Sequence, residues 1–321
     1  MIFLKKVLSL LIAVVFLFII TSCKKESNVD IVSTTYVGYD FSKNVAGEKL
    51  NSSMLLKPGE ELHDYSPSVS DIEKILDSKI FIYIGGESDS EFVEKDILPE
   101  INKKKTTEIN MMDVVKNGGH IYDEEDPESY ISGDEDEEEE EEYDEHIWNS
   151  LTNAKLIINA IYEAITKVDK NNSDYYLSNK DLYIEKINEI DNNIKGVVNS
   201  ANNKLLIFAD RFPLLYFVKE YNLDYDAAFK GCETSKEANP LTIEKLTKKV
   251  SDNNIKVIFT IELSEANIAS AIVDNLKKKG KNVSVKTFYT MHNVSKEDFE
   301  KNMTYVDYMK INVESLKEAL N

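Results

Sequence analysis

The chain has few cysteines and no excess of positive charge. Its 321 residues contain two cysteines, Cys23 and Cys232, which excludes a disulfide-rich scaffold and a cysteine zinc ribbon. The formal net charge is −20, whereas a protein that binds a phosphate backbone needs a basic face. We therefore expect no nucleic-acid partner. The length suits one large domain or two ordinary lobes.

Motifs of the common enzyme classes are also missing. The sequence has no H-E-x-x-H, no G-x-S-x-G, no Walker loop and no dinucleotide-binding glycine pattern. Gly85 and Gly86 follow a strand-like run, but two glycines alone most often mark a turn. Because no nucleophile is paired with a base, we expect a binding protein and not an enzyme.

The N-terminus has the pattern of a secretory signal. Lys5 and Lys6 precede a 14-residue apolar run, 7–20, which is shorter than the roughly 20 residues of a membrane span. The following Ile-Thr-Ser-Cys23 resembles a bacterial lipobox, so residues 1–22 are predicted to be a lipoprotein signal peptide and Cys23 the lipidated residue. A cleaved signal with an incidental cysteine is the alternative. We expect an extracytoplasmic protein anchored to the membrane by lipid, with Cys232 as a small buried residue.

Short β-branched or aromatic runs alternate with helical patterns along the rest of the chain. Strands are predicted at 31–37, 80–84, 204–208, 256–261 and 283–289, and helices at 71–77, 241–250 and 265–276. Such alternation indicates mostly parallel α/β sheets. The strands are nearly continuous in apolar character, as strands covered on both faces are.

The middle of the chain, residues 150–200, shows helical patterns without strands. Ser178 to Asp181 has the form of a capping box, which predicts a helix over 179–200 of about 30 Å. Ser295 opens a predicted last helix that ends near Ala319. The prediction is an α/β fold of two lobes with mostly parallel sheets, joined by a long rigid helix, with a cleft between them. The predicted boundaries are 23–172 for the first lobe, 173–201 for the linking helix and 202–321 for the second lobe.

An acidic segment interrupts the first lobe. Residues 123–145 contain 16 Asp or Glu and no Lys or Arg, including an unbroken acidic run at 134–142. Such blocks repel themselves and form solvated loops. A functional alternative is a weak collector of cations, because clustered carboxylates attract hard cations but bind them weakly without a fixed cage. We therefore expect the loop 123–142 to be either a solvated loop or a weak collector of cations.

Four histidines are present, and three of them lie at predicted strand or helix ends. His63, His146 and His292 occupy such positions, where α/β folds place ligands; His120 lies beside the acidic segment. Each alone could be an ordinary surface or hydrogen-bonded histidine. Together they suggest a shared metal site, in which neutral imidazoles and one carboxylate suit zinc.

Four segments together resemble the substrate-binding lipoproteins of zinc and manganese ABC transporters, the ZnuA-like family. They are LLKPGEELHDYSPSVSDIEKILDSKIFIYIGG, YDEHIWNSLTNAKLI, LLIFADRFPLLYFVKEYNLDY and FEKNMTYVDYMKINVESLKEAL. The resemblance covers about residues 30–321. The second lobe departs from the family pattern, because Ala209 stands where the family usually has a histidine and Met291-His292 where it usually has an aspartate.

The resemblance implies a fold with metal in the cleft between two lobes. It implies His63 and His146 as first-lobe ligands; we add His292 from the second lobe, completed by Asp210 or Glu262. It also implies Zn²⁺, with Mn²⁺ possible, as the transported ligand, and an ABC permease and its ATPase as partners of a monomeric protein. An acidic surface lipoprotein for adhesion or calcium binding is the alternative.

Overall fold

The computed structural model describes residues 29–60, 62, 65–101, 105–123, 143–229, 231 and 239–321. Cys23, Cys232, His63 and most of the acidic segment therefore lie outside the described residues. In the first lobe, four parallel strands form one sheet in the order β2-β1-β3-β4. They are β1 (Ile31–Ser33), β2 (Ser52–Met54), β3 (Ile80–Tyr83) and β4 (Thr107–Asn110).

Helices cover both faces of this first sheet. They are α1 (Tyr36–Ala46), α2 (Val69–Asp77), α3 (Glu87–Phe92), which continues as a π-helical turn over Val93–Ile97, α4 (Met111–Gly118) and α5 (Leu151–Val168). The buried strand β3 contributes Ile80 and Ile82 to one apolar cluster and Phe81 and Tyr83 to another. Alternate side chains of a strand point to opposite faces, so both faces of the sheet are buried.

The second lobe repeats this plan with the strand order β6-β5-β7-β8, again all parallel. Its strands are β5 (Leu205–Phe208), β6 (Asp224–Ala227), β7 (Val257–Thr260) and β8 (Ser284–Thr287). Its helices are α7 (Leu215–Tyr221), α8 (Pro240–Asp252), α9 (Asn267–Lys278), α10 (Lys296–Glu300) and α11 (Tyr305–Leu320). The predicted fold of two parallel-sheet α/β lobes is confirmed.

The long helix between the two sheets is α6 (Ser173–Ser200), which has 28 residues and a length of about 42 Å at 1.5 Å per residue. It packs against α1 and α5 of the first lobe and α11 of the second. The helix begins at Ser173 and not at 179, where the capping-box pattern placed its start; its first turns include the buried Tyr176, whose hydroxyl donates to Asp169 at 2.6 Å. The long linking helix itself is confirmed.

Two other sequence predictions differ from the structure. The first strand ends at Ser33, and Val37 belongs to α1, because Val37, Phe41 and Val45 recur at helical spacing and form its buried face. The last helix is broken into α10 and α11, because Thr304 starts a second capping box with Asp307. Within the part of the chain that the structure describes, no helix has both the length and the apolar character of a membrane span.

Candidate metal site

His146 is held in a fixed orientation by its own neighbour in the sequence. It precedes a 3₁₀ turn at Ile147–Asn149 and is 3% exposed. The carboxylate oxygen Oδ1 of Asp144 accepts the His146 backbone N–H at 2.8 Å and lies 3.1 Å from the ring atom Nδ1. A carboxylate at Nδ1 favours the tautomer that carries its proton there. The Nε2 atom is then the nitrogen suited to a metal.

His292 lies on a tight turn after β8, in the other lobe. Its neighbour Met291 has a φ of +58°, a left-handed conformation that is unusual for a residue with a side chain. The carboxylate of Glu262 accepts the backbone N–H of Thr290 at 2.8 Å, its hydroxyl at 2.6 Å and the backbone N–H of His292 at 3.1 Å. One buried carboxylate therefore accepts three hydrogen bonds and fixes the turn that carries His292.

The two histidines meet across the boundary between the lobes. Nε2 of His146 lies 3.0 Å from Nδ1 of His292, and the ring centroids are 5.1 Å apart. The Trp148 ring is T-shaped to both imidazole rings, with centroid distances of 5.5 Å to His146 and 6.4 Å to His292. The structure thus brings together His146 and His292, two of the predicted site residues, from positions 146 residues apart.

The two predicted carboxylates belong to neighbouring segments of the second lobe, and Glu262 contacts the turn that carries His292. Asp210 Oδ2 accepts the backbone N–H of Ile261 at 3.2 Å, which places it beside the start of the Glu262 segment. Asp210 is 9% and Glu262 8% exposed. Burial raises the pKa of Glu262, and its hydrogen bonds from Thr290 oppose that rise. With the buried Asp144 and Glu145, the neighbourhood is acidic and favours a cation.

The remaining histidines are not part of this pair in the described structure. His63 lies outside the described residues. His120 is exposed, and its ring stacks on Tyr122 at a centroid distance of 6.5 Å. Among the described residues no group of three or more His, Cys, Asp or Glu is arranged to hold a metal ion, so the complete ligand set stays a prediction.

Buried hydrogen bonds join the lobes around the histidine pair. Trp148 Nε1 donates to the Thr290 carbonyl at 2.8 Å, and the Tyr305 hydroxyl donates to the Trp148 carbonyl at 2.8 Å. The Tyr216 hydroxyl donates to the Asp144 carbonyl at 2.7 Å. The segment that carries His146 therefore has second-lobe partners on both sides.

The base of the acidic segment is next to His146. Asp123 and Tyr143 form an antiparallel bridge, and the Asp144 N–H donates to the Tyr122 carbonyl at 3.0 Å. The acidic run itself, within 124–142, lies outside the described residues. The described residues that flank it, Asp123 and Tyr143, are paired with each other, and Tyr143 is three residues before His146.

A glycine loop supports the same segment from the first lobe. Glu145 accepts the Ser88 backbone N–H at 2.9 Å and also contacts the Ser88 hydroxyl. A Cβ at Gly86 would lie 2.5 Å from the Glu145 side chain, so this close approach requires glycine. Nearby Asp89 accepts the Gly85 N–H at 2.8 Å, and burial raises the pKa of Asp89 to about 7.

Sequence reasoning missed the residues that orient the histidines. Asp144 lies in YDEHIWNSLTNAKLI, one of the four segments that carry the family resemblance, but no role was predicted for it. Thr290 was not considered. The signal for Asp144 was its position two residues before a histidine, which suits a local side-chain-to-backbone bond. The contact of Thr290 with Trp148 joins residues 142 positions apart, and no local pattern predicts it.

Comparison with known proteins identifies the family of this chain. The model of the family described as "ZnuA: Zinc-uptake complex component A periplasmic" matches residues 31–319. The chain belongs to the ZnuA family. The resemblance stated from the sequence is thereby confirmed.

Two named relatives of this ZnuA-family chain are matched over different shares of their own length. The zinc-binding protein AdcA of Streptococcus pyogenes serotype M3 is 27% identical over 98% of this chain and 61% of the relative. The high-affinity zinc uptake system protein ZnuA of Bacillus subtilis is 26% identical over 92% of this chain and 89% of the relative. The chain thus spans less than two thirds of the AdcA relative.

Solved structures share the fold. The metal-dependent lipoprotein YcdH of Bacillus subtilis has a TM-score of 0.72 at 24% identity, covering 91% of this chain and 99% of that one. The Zn(II)-bound ZnuA-like domain of Streptococcus pneumoniae AdcA has a TM-score of 0.68 at 24% identity, covering 92% of this chain and 99% of that one. At these identities the likeness establishes the fold.

Proposed function

We propose that this chain is the extracytoplasmic binding component of an ABC importer that captures Zn²⁺ and delivers it to a membrane permease and its ATPase. It performs this role without catalysing a reaction. The observation that carries the proposal is the 3.0 Å separation of His146 Nε2 and His292 Nδ1. Two nitrogens bound tetrahedrally to one zinc at about 2.0–2.1 Å lie about 3.3 Å apart. A small outward movement of either ring therefore admits the ion.

The proposed ligand set is His63, His146 and His292, completed by a carboxylate from Asp210 or Glu262. Three imidazoles and one carboxylate favour zinc over manganese, because manganese prefers more oxygen donors. Asp144 supports the set by hydrogen-bonding the ring nitrogen of His146 that faces away from the metal, an arrangement common at zinc sites. The buried acidic residues add electrostatic attraction.

The position of the site between two lobes suits capture and release. His146 and His292 come from different lobes, so a bound ion adds a bond across the boundary and favours the joined arrangement. Release then requires the lobes to separate, which we assign to the permease complex. The names of the AdcA and ZnuA relatives, which refer to zinc binding and zinc uptake, support the choice of cargo.

The test is the metal content and metal selectivity of the purified chain, with zinc, manganese and calcium offered at equal concentration. The proposal expects one tightly bound zinc per chain, retained when residues 124–142 are removed. Calcium binding that disappears with that deletion, without any tight zinc, would instead favour the alternative of an acidic surface lipoprotein.

We also propose that the protein is a monomer anchored to the outer face of the membrane through lipid on Cys23. The lipobox-like sequence before Cys23 supports this, and the name of a pneumococcal relative, zinc-binding lipoprotein AdcA, agrees with it. Palmitate labelling of membrane-bound wild type, with loss of label and release from the membrane in Cys23→Ser, is the expected result. An unlabelled wild type would contradict it.

A further inference from the structure

Glu262 is placed to act on the site through the protein backbone. Its Oε1 atom accepts both the Thr290 hydroxyl at 2.6 Å and the His292 N–H at 3.1 Å, while Oε2 accepts the Thr290 N–H at 2.8 Å. A carboxylate oxygen has two lone pairs, so Oε1 is fully occupied by this one turn. Zinc bound through Oε1 would compete with the Thr290 hydroxyl and the His292 N–H, and zinc bound through Oε2 would compete with the Thr290 N–H.

The turn that Glu262 holds is one the chain does not adopt readily. Met291, at its centre, has a φ of +58° and is 1% exposed. A non-glycine residue in this region is strained and persists where surrounding contacts determine it. Glu262 supplies such contacts on both sides of Met291, through Thr290 and His292.

The same turn makes two of the contacts between the lobes. The Thr290 carbonyl accepts the Trp148 indole N–H at 2.8 Å, and the His292 ring meets His146. Loosening the turn would therefore displace His292 from His146 and Thr290 from Trp148 together. Ring nitrogens must be held within a few tenths of an ångström for tight zinc binding.

We infer that Glu262 is a positioning residue, whose carboxylate fixes the turn 290–292 so that His292 reaches the metal while Glu262 itself stays off the metal. This inference rests on the proposed zinc site and deepens it. It assigns Asp210 as the carboxylate for the fourth position. The Asp210 carboxylate accepts the backbone N–H groups of Arg211 at 2.9 Å and Ile261 at 3.2 Å. It therefore holds none of the groups of the turn 290–292, whereas the Glu262 carboxylate accepts three bonds from that turn.

The decisive variant is Glu262→Gln, which keeps the size of the side chain. Its amide group has one accepting oxygen, so at least one of the backbone N–H groups of Thr290 and His292 then faces another donor. We expect zinc affinity to fall about 10- to 100-fold, the usual effect of losing a residue that orients a ligand. X-ray absorption should show the same number and kind of zinc ligands as in wild type.

Two further variants separate positioning from a general loss of stability. Thr290→Val removes the hydroxyl, which donates to Glu262 at 2.6 Å and accepts the His292 N–H at 3.3 Å. It keeps the two backbone bonds to Glu262 and should weaken zinc binding by less, about 5-fold. Ile272→Ala destabilises the core of the second lobe, where Ile272 is fully buried on α9, and should leave zinc affinity unchanged. If Ile272→Ala weakens zinc as much as Glu262→Gln, the effect is one of stability and the inference is overturned.

A measurement without zinc distinguishes this inference from the proposed function. In the metal-free protein, the imidazole nitrogen resonances of His146 and His292 should shift in Glu262→Gln and remain unchanged in Ile272→Ala. Unchanged resonances in Glu262→Gln would overturn the positioning role. Loss of an oxygen ligand from the zinc spectrum of Glu262→Gln would identify Glu262 as a ligand instead. A wild type that binds no zinc, with the resonance shifts present, would refute the proposed function alone.

Discussion

The indole Nε1 of Trp148 donates a hydrogen bond to the carbonyl oxygen of Thr290 at 2.8 Å, and this bond joins the first lobe to the turn that carries His292. Trp148 is the single tryptophan of the chain and is fully buried. Its ring is also T-shaped to those of His146 and His292. The arrangement makes Trp148 both a structural contact between the lobes and a natural reporter of the site.

Removing this indole N–H should destabilise the protein. Trp148→Phe leaves the buried Thr290 carbonyl without its donor and opens a small cavity, so we expect a loss of about 2–4 kcal/mol in the free energy of unfolding. Chemical denaturation followed by circular dichroism measures it. Thr152→Ala removes an exposed bond to Glu220, also between the lobes, and should cost under about 1 kcal/mol. Equal losses in the two variants would contradict the importance of the Trp148 bond.

Asp144 should tune zinc binding without being a ligand. Asp144→Asn weakens the hydrogen bond that orients the His146 ring, so we expect zinc affinity to fall about 10- to 100-fold. Competition with a fluorescent chelator measures the affinity. Asp113→Asn changes an exposed aspartate of the same lobe and should have no effect. An affinity of Asp144→Asn equal to that of wild type would show that the orientation of the ring does not matter.

Substituting alanine for two different glycines should change the stability of the protein in opposite directions. A Cβ at Gly86 meets Glu145, one residue before His146, whereas a Cβ at Gly196 on α6 has no atom within 4 Å. We expect Gly86→Ala to destabilise the protein by about 1–3 kcal/mol and to weaken zinc binding. Gly196→Ala should stabilise it by about 0.5–1 kcal/mol and leave zinc affinity unchanged. Thermal and chemical unfolding decide the sign, and a stabilising Gly86→Ala would refute the close approach.

Asp40 should make stability depend on pH. Its buried carboxylate accepts the Tyr305 N–H at 3.2 Å and contacts the Tyr183 hydroxyl, which joins α1, α6 and α11. Burial raises the pKa of Asp40 from 3.8 to about 6, and the hydrogen bonds from Tyr183 and Tyr305 partly oppose that rise. The native state therefore binds more protons than the unfolded state between these values, so stability falls as the pH rises from about 4 to about 6.

The matched comparison is Asp40→Asn, which cannot ionise. The unfolding free energy of wild type relative to Asp40→Asn should fall by on the order of 3 kcal/mol between pH 4 and pH 7. Asp274→Asn, at an exposed position on α9, should follow wild type at every pH. A wild-type to Asp40→Asn difference that stays constant with pH would contradict a raised pKa for Asp40.

The architecture was predictable because its strongest signals are local. The buried strands at Ile80–Tyr83 and Val257–Thr260 are continuous apolar runs, and α6 has a long apolar repeat. Strands β2, β4 and β6 were missed, since they are partly exposed and contain polar residues such as Ser52, Glu108 and Asp224. Their pairing with a buried neighbour, not their own composition, makes them strands.

The candidate site was predictable in part. His146 and His292 follow from their positions at element ends and from the family resemblance, and the structure places them in contact. The support from Glu262, Thr290 and Asp144 was not predicted, because hydrogen bonds between a carboxylate and a distant turn leave no periodic pattern. The choice between Asp210 and Glu262 could not be made from the sequence, because both residues follow a strand of the second lobe.

The central claim is that His146 and His292 bind zinc together, and calorimetric zinc titration of His146→Ala, His292→Ala and His120→Ala tests it most directly. His146→Ala and His292→Ala should each lose tight binding by at least about 100-fold, since each removes a nitrogen donor. His120→Ala should bind like wild type, because its ring is exposed and stacks on Tyr122. Wild-type affinity in His292→Ala together with weakened affinity in His120→Ala would contradict the account.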